Sequence, residues 1–98
     1  MRLRFTAPAI RHFTSIAEYI SRDDPSASLK VGQRIRAACE LLTVFPSIGR
    51  HGTRAGTREL SLRGLPYVIV HRVTEDEIVI LAIYHVRQLR PGQHSPKS

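Results

Sequence analysis

Residues 57–87 read TRELSLRGLPYVIVHRVTEDEIVILAIYHVR. Three apolar runs, Glu59–Leu62, Tyr67–Val73 and Ile78–Val86, are rich in Val, Ile, Leu and Tyr, side chains that suit a pleated surface. Arg63-Gly64-Leu65-Pro66 separates the first two and Thr74-Glu75-Asp76-Glu77 the last two. Breaks this short, one carrying Gly and Pro and the other polar, predict an antiparallel meander. Ile78-Val79-Ile80-Leu81-Ala82-Ile83 is apolar without alternation, so this strand should be central, with cover on both faces. One small domain can cover one face with helices; the other face calls for a partner.

Upstream residues supply the cover. Leu3-Arg4-Phe5 reads as a short strand. Thr6 suits an N-cap and Pro8 the first turn of a helix over Ala7–Ser21, with Ile10, Phe13, Ala17 and Ile20 as its apolar stripe and Ile16 and Tyr19 beside it. Asp23-Asp24-Pro25 stops that helix and restarts a second, which runs to about Val44 with Leu29, Gly32, Ile35, Cys39 and Leu42 inward. Gly32 lowers helix propensity and is expected to let the two helices approach closely. Phe45-Pro46-Ser47-Ile48-Gly49 ends the hairpin, and residues 50–56 form a basic, Gly-rich loop. The fold class is therefore α+β: an N-terminal strand and a two-helix hairpin packed on a twisted antiparallel sheet. Residues 1–90 form a single domain, and 91–98 a flexible tail of almost no apolar content.

The chain has 98 residues and a net charge of +7. This length bounds the reading to one domain with a thin core, and the charge favours acidic partners, nucleic acid among them. A single Cys39 excludes an internal disulfide and a CxxC metal site, and points to the reducing cytoplasm. No run approaches the ~20 apolar residues of a membrane span. The arginines and lack of acids in residues 1–17 are also compatible with a transit peptide, but removing that segment would uncover the sheet. No metal or cofactor is expected.

Four words, in this order, carry a resemblance: Phe45-Pro46-Ser47-Ile48-Gly49-Arg50, Thr57-Arg58-Glu59-Leu60, Pro66-Tyr67-Val68-Ile69-Val70-His71-Arg72-Val73 and Ile83-Tyr84-His85-Val86-Arg87. Over residues 3–90 the chain resembles the RelE/ParE superfamily of type II toxin–antitoxin toxins, the ParE branch in particular. The resemblance implies a cognate antitoxin, ParD-like for that branch, which wraps the toxin. ParE-like toxins are associated with poisoning DNA gyrase, and RelE-like toxins with cleaving mRNA on the ribosome. One fold hosts both, so fold alone does not choose.

A metal-free ribonuclease must deprotonate a 2′-OH, stabilise a charged phosphorane and protonate the leaving oxygen. The RelE pattern is filled here only by Arg63, Arg87 and His85. The chain's lysines are Lys30 and Lys97 alone, so the loop lysines of that pattern have no counterpart, and no Tyr follows Arg87. Arginine cannot act as a base, whereas histidine titrates near neutrality. The chain therefore reads as a non-enzymatic gyrase poison, with no catalytic residues and with Arg58, Arg63, Arg72, His85, Arg87 and Arg90 as target-binding residues. The alternative is a ribonuclease using Arg63, His85 and Arg87; a third reading is an inactive partner in a DNA-autoregulating complex. Ile16, Tyr19 and Leu41 are the expected antitoxin contacts, together with strand addition at a sheet edge. His85 could equally be a strand-end residue packed on Tyr67 or Tyr84. Val73 is expected to lie opposite Ile78, which would put Arg72 on the face of His85 and Arg87, in a basic patch with Arg87 that could extend to Arg63; a shift by one would put His71 there instead.

Overall fold

In the computed structural model residues 1–87 are described; the expected tail 91–98 and Arg90 lie outside them. The elements are β1 (Arg2–Phe5), α1 (Ala7–Ser21), α2 (Pro25–Leu42), β2 (Arg50–His51), β3 (Arg58–Ser61), β4 (Tyr67–Val73) and β5 (Glu77–His85). Both helices begin as their sequence dictates. The Thr6 hydroxyl accepts from the Ala9 amide and the Asp24 carboxylate from the Ala27 amide, with Pro8 and Pro25 in the first turns. The short turn between them is tied by the Ser28 hydroxyl, which donates to the Ala17 carbonyl at 2.7 Å.

The sheet has the order β1-β5-β4-β3-β2. Strands β3 to β5 form the expected antiparallel meander, β2 extends it at one edge, and β1 joins β5 in parallel, so the whole sheet is mixed rather than purely antiparallel. β5 is interior, and residues on both of its faces are buried, as its unbroken apolar run requires. Arg50 and His51, expected in a loop, pair with Glu59 and Arg58 as the short β2.

The main core lies between the helices and one face of the sheet, with Ile35, Cys39 and Leu42 of α2 against Ile69, Ile78, Ile80 and Ile83. The opposite face carries a smaller cluster, Val68, Val70, Ala82 and Tyr84, to which neither helix contributes. Two positions of the expected stripes are turned outward: Ile10 is 54% and Leu29 69% exposed. In α1 the inward row is Ala9, Phe13, Ile16 and Ile20 instead. The cause is the close approach of the helix start to β5. The Thr6 hydroxyl donates to the carbonyls of Ile80 and Leu81, and the small Ala9 is fully buried just beyond it. Gly32 does face Phe13, but an added Cβ would stand 3.5 Å from the ring, an ordinary contact.

The β4–β5 register decides which side chains meet. Val73 lies opposite Ile78, as expected, and Arg72 opposite Val79; then Val70 pairs with Ala82, leaving Leu81 as an extra residue in β5. This bulge reverses the facing of β5 beyond it. His85 therefore faces the helix side opposite Tyr67, and Arg72 faces the other side with Val70 and Ala82. The bulge is anchored from α1: besides the Thr6 bonds, the Ile83 amide donates to His12 Nδ1 at 3.2 Å. Those contacts satisfy backbone groups of β5 beyond the end of β1.

Candidate functional site

The expected basic patch of Arg72, Arg87 and Arg63 does not form. Because of the Leu81 bulge, Arg72 stands on the sheet face opposite His85 and opens into a different hollow. Arg63 lies in the β3–β4 turn, beside α2. Its carbonyl accepts from Arg34 Nη2 at 2.6 Å, and it borders a shallow depression with Leu41, Leu60 and Leu62. Arg58 sits on β3 opposite His71, with Nη1 directed to the Gly49 carbonyl at 3.5 Å. Of the six expected target contacts, only His85 and Arg87 come together; Arg90 lies outside the described residues.

That pair borders a concavity on the helix side. The last turns of α1 and the end of β5 enclose a hollow of about 550 Å³, in which Ile16, Tyr19, Arg22, Tyr67, His85 and Arg87 take part. Tyr67 and His85 are direct cross-strand neighbours, and their rings meet edge to face, centroids 5.5 Å apart at 86°. The Arg87 amide donates to His85 Nδ1 at 3.1 Å, which fixes the imidazole at the strand end and leaves the proton to Nε2. Burial, with the neighbouring Tyr19 phenol, pushes the Tyr67 hydroxyl above its ordinary pKa, so it remains a neutral donor. Tyr19 itself is 70% exposed. Ile16, by contrast, is half-buried and packed against the main core, and only its outer edge reaches the hollow. Two of the three expected antitoxin contacts thus share a hollow with two of the expected target contacts, while Leu41 adjoins Arg63 instead.

Sequence reasoning missed Arg22 as a member of this hollow, but it did offer Tyr67 as a packing partner of His85, and the two rings meet as that reading expects. The signal for Tyr67 was its place at the start of β4, but its pairing with His85 depends on the bulge. His71, the other candidate for this face, is fully buried further along β4, and neither ring nitrogen has a hydrogen-bond partner. Burial holds its pKa down; the Pro46 carbonyl opposes this without forming a well-shaped hydrogen bond, and the Arg58 charge adds to the lowering. His71 is thus a neutral core residue. Cys39 is also inert: burial pushes its thiol up to about 12, so no thiolate is at hand near neutrality.

On the opposite face, Glu59 is nearly fully buried. Its Oε1 accepts from the Tyr84 hydroxyl at 3.2 Å and from Arg50 Nη2 at 3.2 Å. Among the described residues no three of His, Cys, Asp and Glu are grouped as metal ligands, and no helix is long and apolar enough to cross a membrane.

Comparison with known proteins agrees with this architecture. The chain is 40% identical over 90 residues to "Putative toxin Y4kP" of Sinorhizobium fredii, covering 92% of this chain and 93% of that protein. It is 33% identical over 85 residues to "Toxin RelE2" of Caulobacter vibrioides, covering 87% and 94%. Among solved structures, the chromosomal ParDE toxin–antitoxin system of P. aeruginosa matches with a TM-score of 0.78 at 28% identity, over 87% of this chain and 95% of that one. The E. coli RelBE toxin–antitoxin complex shares the fold, with a TM-score of 0.65 at 14% identity over 89% and 98%. The family model described as the ParE toxin of the type II toxin–antitoxin system parDE matches residues 3–90. The chain belongs to the ParE toxin family of type II toxin–antitoxin systems.

Proposed function

We propose that this toxin arrests growth in the cytoplasm by binding DNA gyrase and trapping the cleaved-DNA state, without cutting RNA, and that a ParD-like antitoxin neutralises it. The observation that carries this reading is the dispersal of the groups a metal-free ribonuclease would need. Arg63 opens beside α2, whereas His85 and Arg87 stand at the end of β5. His85 Nδ1 is already engaged by the Arg87 amide, and the described residues place no lysine on the sheet. Positioned acid, base and phosphorane stabiliser must converge within hydrogen-bond reach of one phosphate. The likeness to the P. aeruginosa ParDE system supports the antitoxin partner.

In this reading the hollow under Tyr19 serves both binding events. An amphipathic antitoxin segment that buries Tyr19 and the edge of Ile16 also covers His85 and Arg87, so neutralisation is direct occlusion of target contacts. Arg58, Arg63 and Leu41 extend the surface along α2 and β3. The test is a gyrase reaction with purified toxin, supercoiled plasmid and ATP, scored for linear DNA after the enzyme is denatured. Linear DNA that accumulates with the free toxin and vanishes when antitoxin is bound supports the reading; unaffected gyrase refutes it.

One observation favours a ribonuclease: an imidazole, a guanidinium and a phenol, from His85, Arg87 and Tyr67, border the same hollow. That reading requires ribosome-dependent mRNA cleavage that His85→Ala or Arg87→Ala abolishes. Normal cleavage by both variants removes it.

A further inference from the structure

The geometry points to a second binding site, on the sheet face opposite the main core: a pocket that takes a phosphate monoester of mononucleotide size through the guanidinium groups of Arg54 and Arg72. It goes beyond the gyrase reading, which assigns this pocket no ligand. The hollow measures about 460 Å³, in the range of small-ligand sites. Its apolar wall is Val70, Leu81 and Ala82, and its polar rim includes Arg54, Arg72 and His12.

Three features make this a built site. The first is the loop that carries Arg54. The Thr57 amide and hydroxyl both donate to the Arg54 carbonyl, at 3.2 and 2.7 Å, and the Gly52 amide donates to the Thr57 carbonyl at 2.8 Å. A Cβ at position 52 would collide with Thr57 Oγ1, so the loop closes tightly against buried Thr57. The second is the Leu81 bulge. By inserting one residue it brings the small Ala82 opposite Val70, on the same face as Arg72, and all three line the hollow. The third is the charge. Neither the Arg54 nor the Arg72 guanidinium makes an ion pair or side-chain hydrogen bond among the described residues. Glu59, which borders the same hollow, is instead paired with Arg50 and held by the Tyr84 hydroxyl.

His12 completes the set. Its Nδ1 accepts from the Ile83 amide, so the proton sits on Nε2, a neutral donor at the rim. Two planar guanidinium forks match the two charges and multiple oxygens of a phosphate monoester, and bind them with paired, charge-assisted hydrogen bonds. Two carboxylates on a flexible chain, as in glutarate, must each be ordered separately and offer no single cluster of oxygens for both forks. The apolar wall is suited to the flat face of a base.

The test is an amide chemical-shift titration of the full chain with 5′-AMP, 5′-UMP, inorganic phosphate and glutarate, each taken to about 10 mM, a range that detects millimolar binding. The nucleotides should shift the amides of Gly56, Thr57 and Ala82 saturably, inorganic phosphate more weakly, and glutarate not at all. Arg54→Gln and Arg72→Gln should each weaken nucleotide binding about tenfold, the scale of one charge-assisted contact, with thermal midpoints unchanged. The proposal is overturned if no nucleotide produces saturable shifts at those amides in the unmodified chain. Nucleotide binding unchanged in the Arg54→Gln/Arg72→Gln double variant also overturns it, as does glutarate binding as tightly as the nucleotides, which would mark a pocket for protein carboxylates.

Discussion

Gly49, in the word Phe45-Pro46-Ser47-Ile48-Gly49-Arg50, adopts φ +94°, and a Cβ there would lie 2.5 Å from the Glu59 carbonyl oxygen and 3.1 Å from its carbon. Glu59 cannot retreat, because it is paired on one side with Arg50 and on the other with Val70. Gly49→Ala therefore combines two costs. The left-handed conformation alone costs about 1–2 kcal/mol for a residue with a side chain, and displacing a strand backbone adds about 2 kcal/mol or more. Gly64→Ala isolates the first cost: its φ is +77°, yet nothing lies within 4 Å of an added Cβ. Urea denaturation of both variants, with m unchanged, should show roughly 3–5 kcal/mol lost by Gly49→Ala and about 1–2 by Gly64→Ala. At a typical m for a domain of this size the Gly49→Ala midpoint falls by about 2 M. Equal losses in the two variants would show that the Glu59 contact yields freely, and the reasoning from a fixed β2–β3 edge would fail.

Gly32→Ala should be neutral or stabilising by up to about 1 kcal/mol in the same assay, since the Phe13 ring is in ordinary contact range and alanine favours the helix; a loss above that value would mean the helices cannot spare the space. His71 is buried as the neutral imidazole with its pKa lowered, so its contribution to stability is fully present above about pH 6.5 and is lost as pH falls toward its folded pKa. His12 adds in the same direction, its pKa lowered by burial and then by Arg11. Urea midpoints at about pH 7.5 and pH 5 should diverge in the native chain and less so in His71→Leu; an equal difference in both would remove His71 as the cause. Tyr84→Phe deletes the hydroxyl that Glu59 accepts from and should cost about 1 kcal/mol while leaving the Arg50 pair intact; an unchanged midpoint would show that this buried bond contributes nothing net.

Much of the architecture was legible in the sequence because local physics settles it. Thr6 and Asp24 followed by early prolines fix where helices begin, since only those side chains supply an acceptor to the first free amides. The meander follows from three β-rich runs and two short breaks, and the buried centre from the unbroken run of β5. Val73 opposite Ile78, favoured over the register shifted by one because it pairs two apolar residues across the turn mouth, is the register observed.

The candidate site was legible only in part. Basic side chains at or near the ends of β3, β4 and β5 and Tyr19 on α1 could be picked out as candidates from the sequence, but how they group could not. Alternation assigns Arg72 and His85 to one face only if both strands keep period two. Leu81 breaks that period, and it does so because Thr6 and His12, about seventy residues earlier in the chain, hold the bulged backbone through hydrogen bonds to Ile80, Leu81 and Ile83. Ile10 and Leu29 turn outward for a related reason, since the rotation of a helix about its axis is set by what it packs on. What the sequence determined by itself is the order of elements, their caps and the apolar centre, all consequences of short-range hydrogen bonding and periodicity. Only the tertiary structure decided which charges share a face, because a single extra residue in one strand, stabilised from a distant helix, reverses the facing of every side chain beyond it.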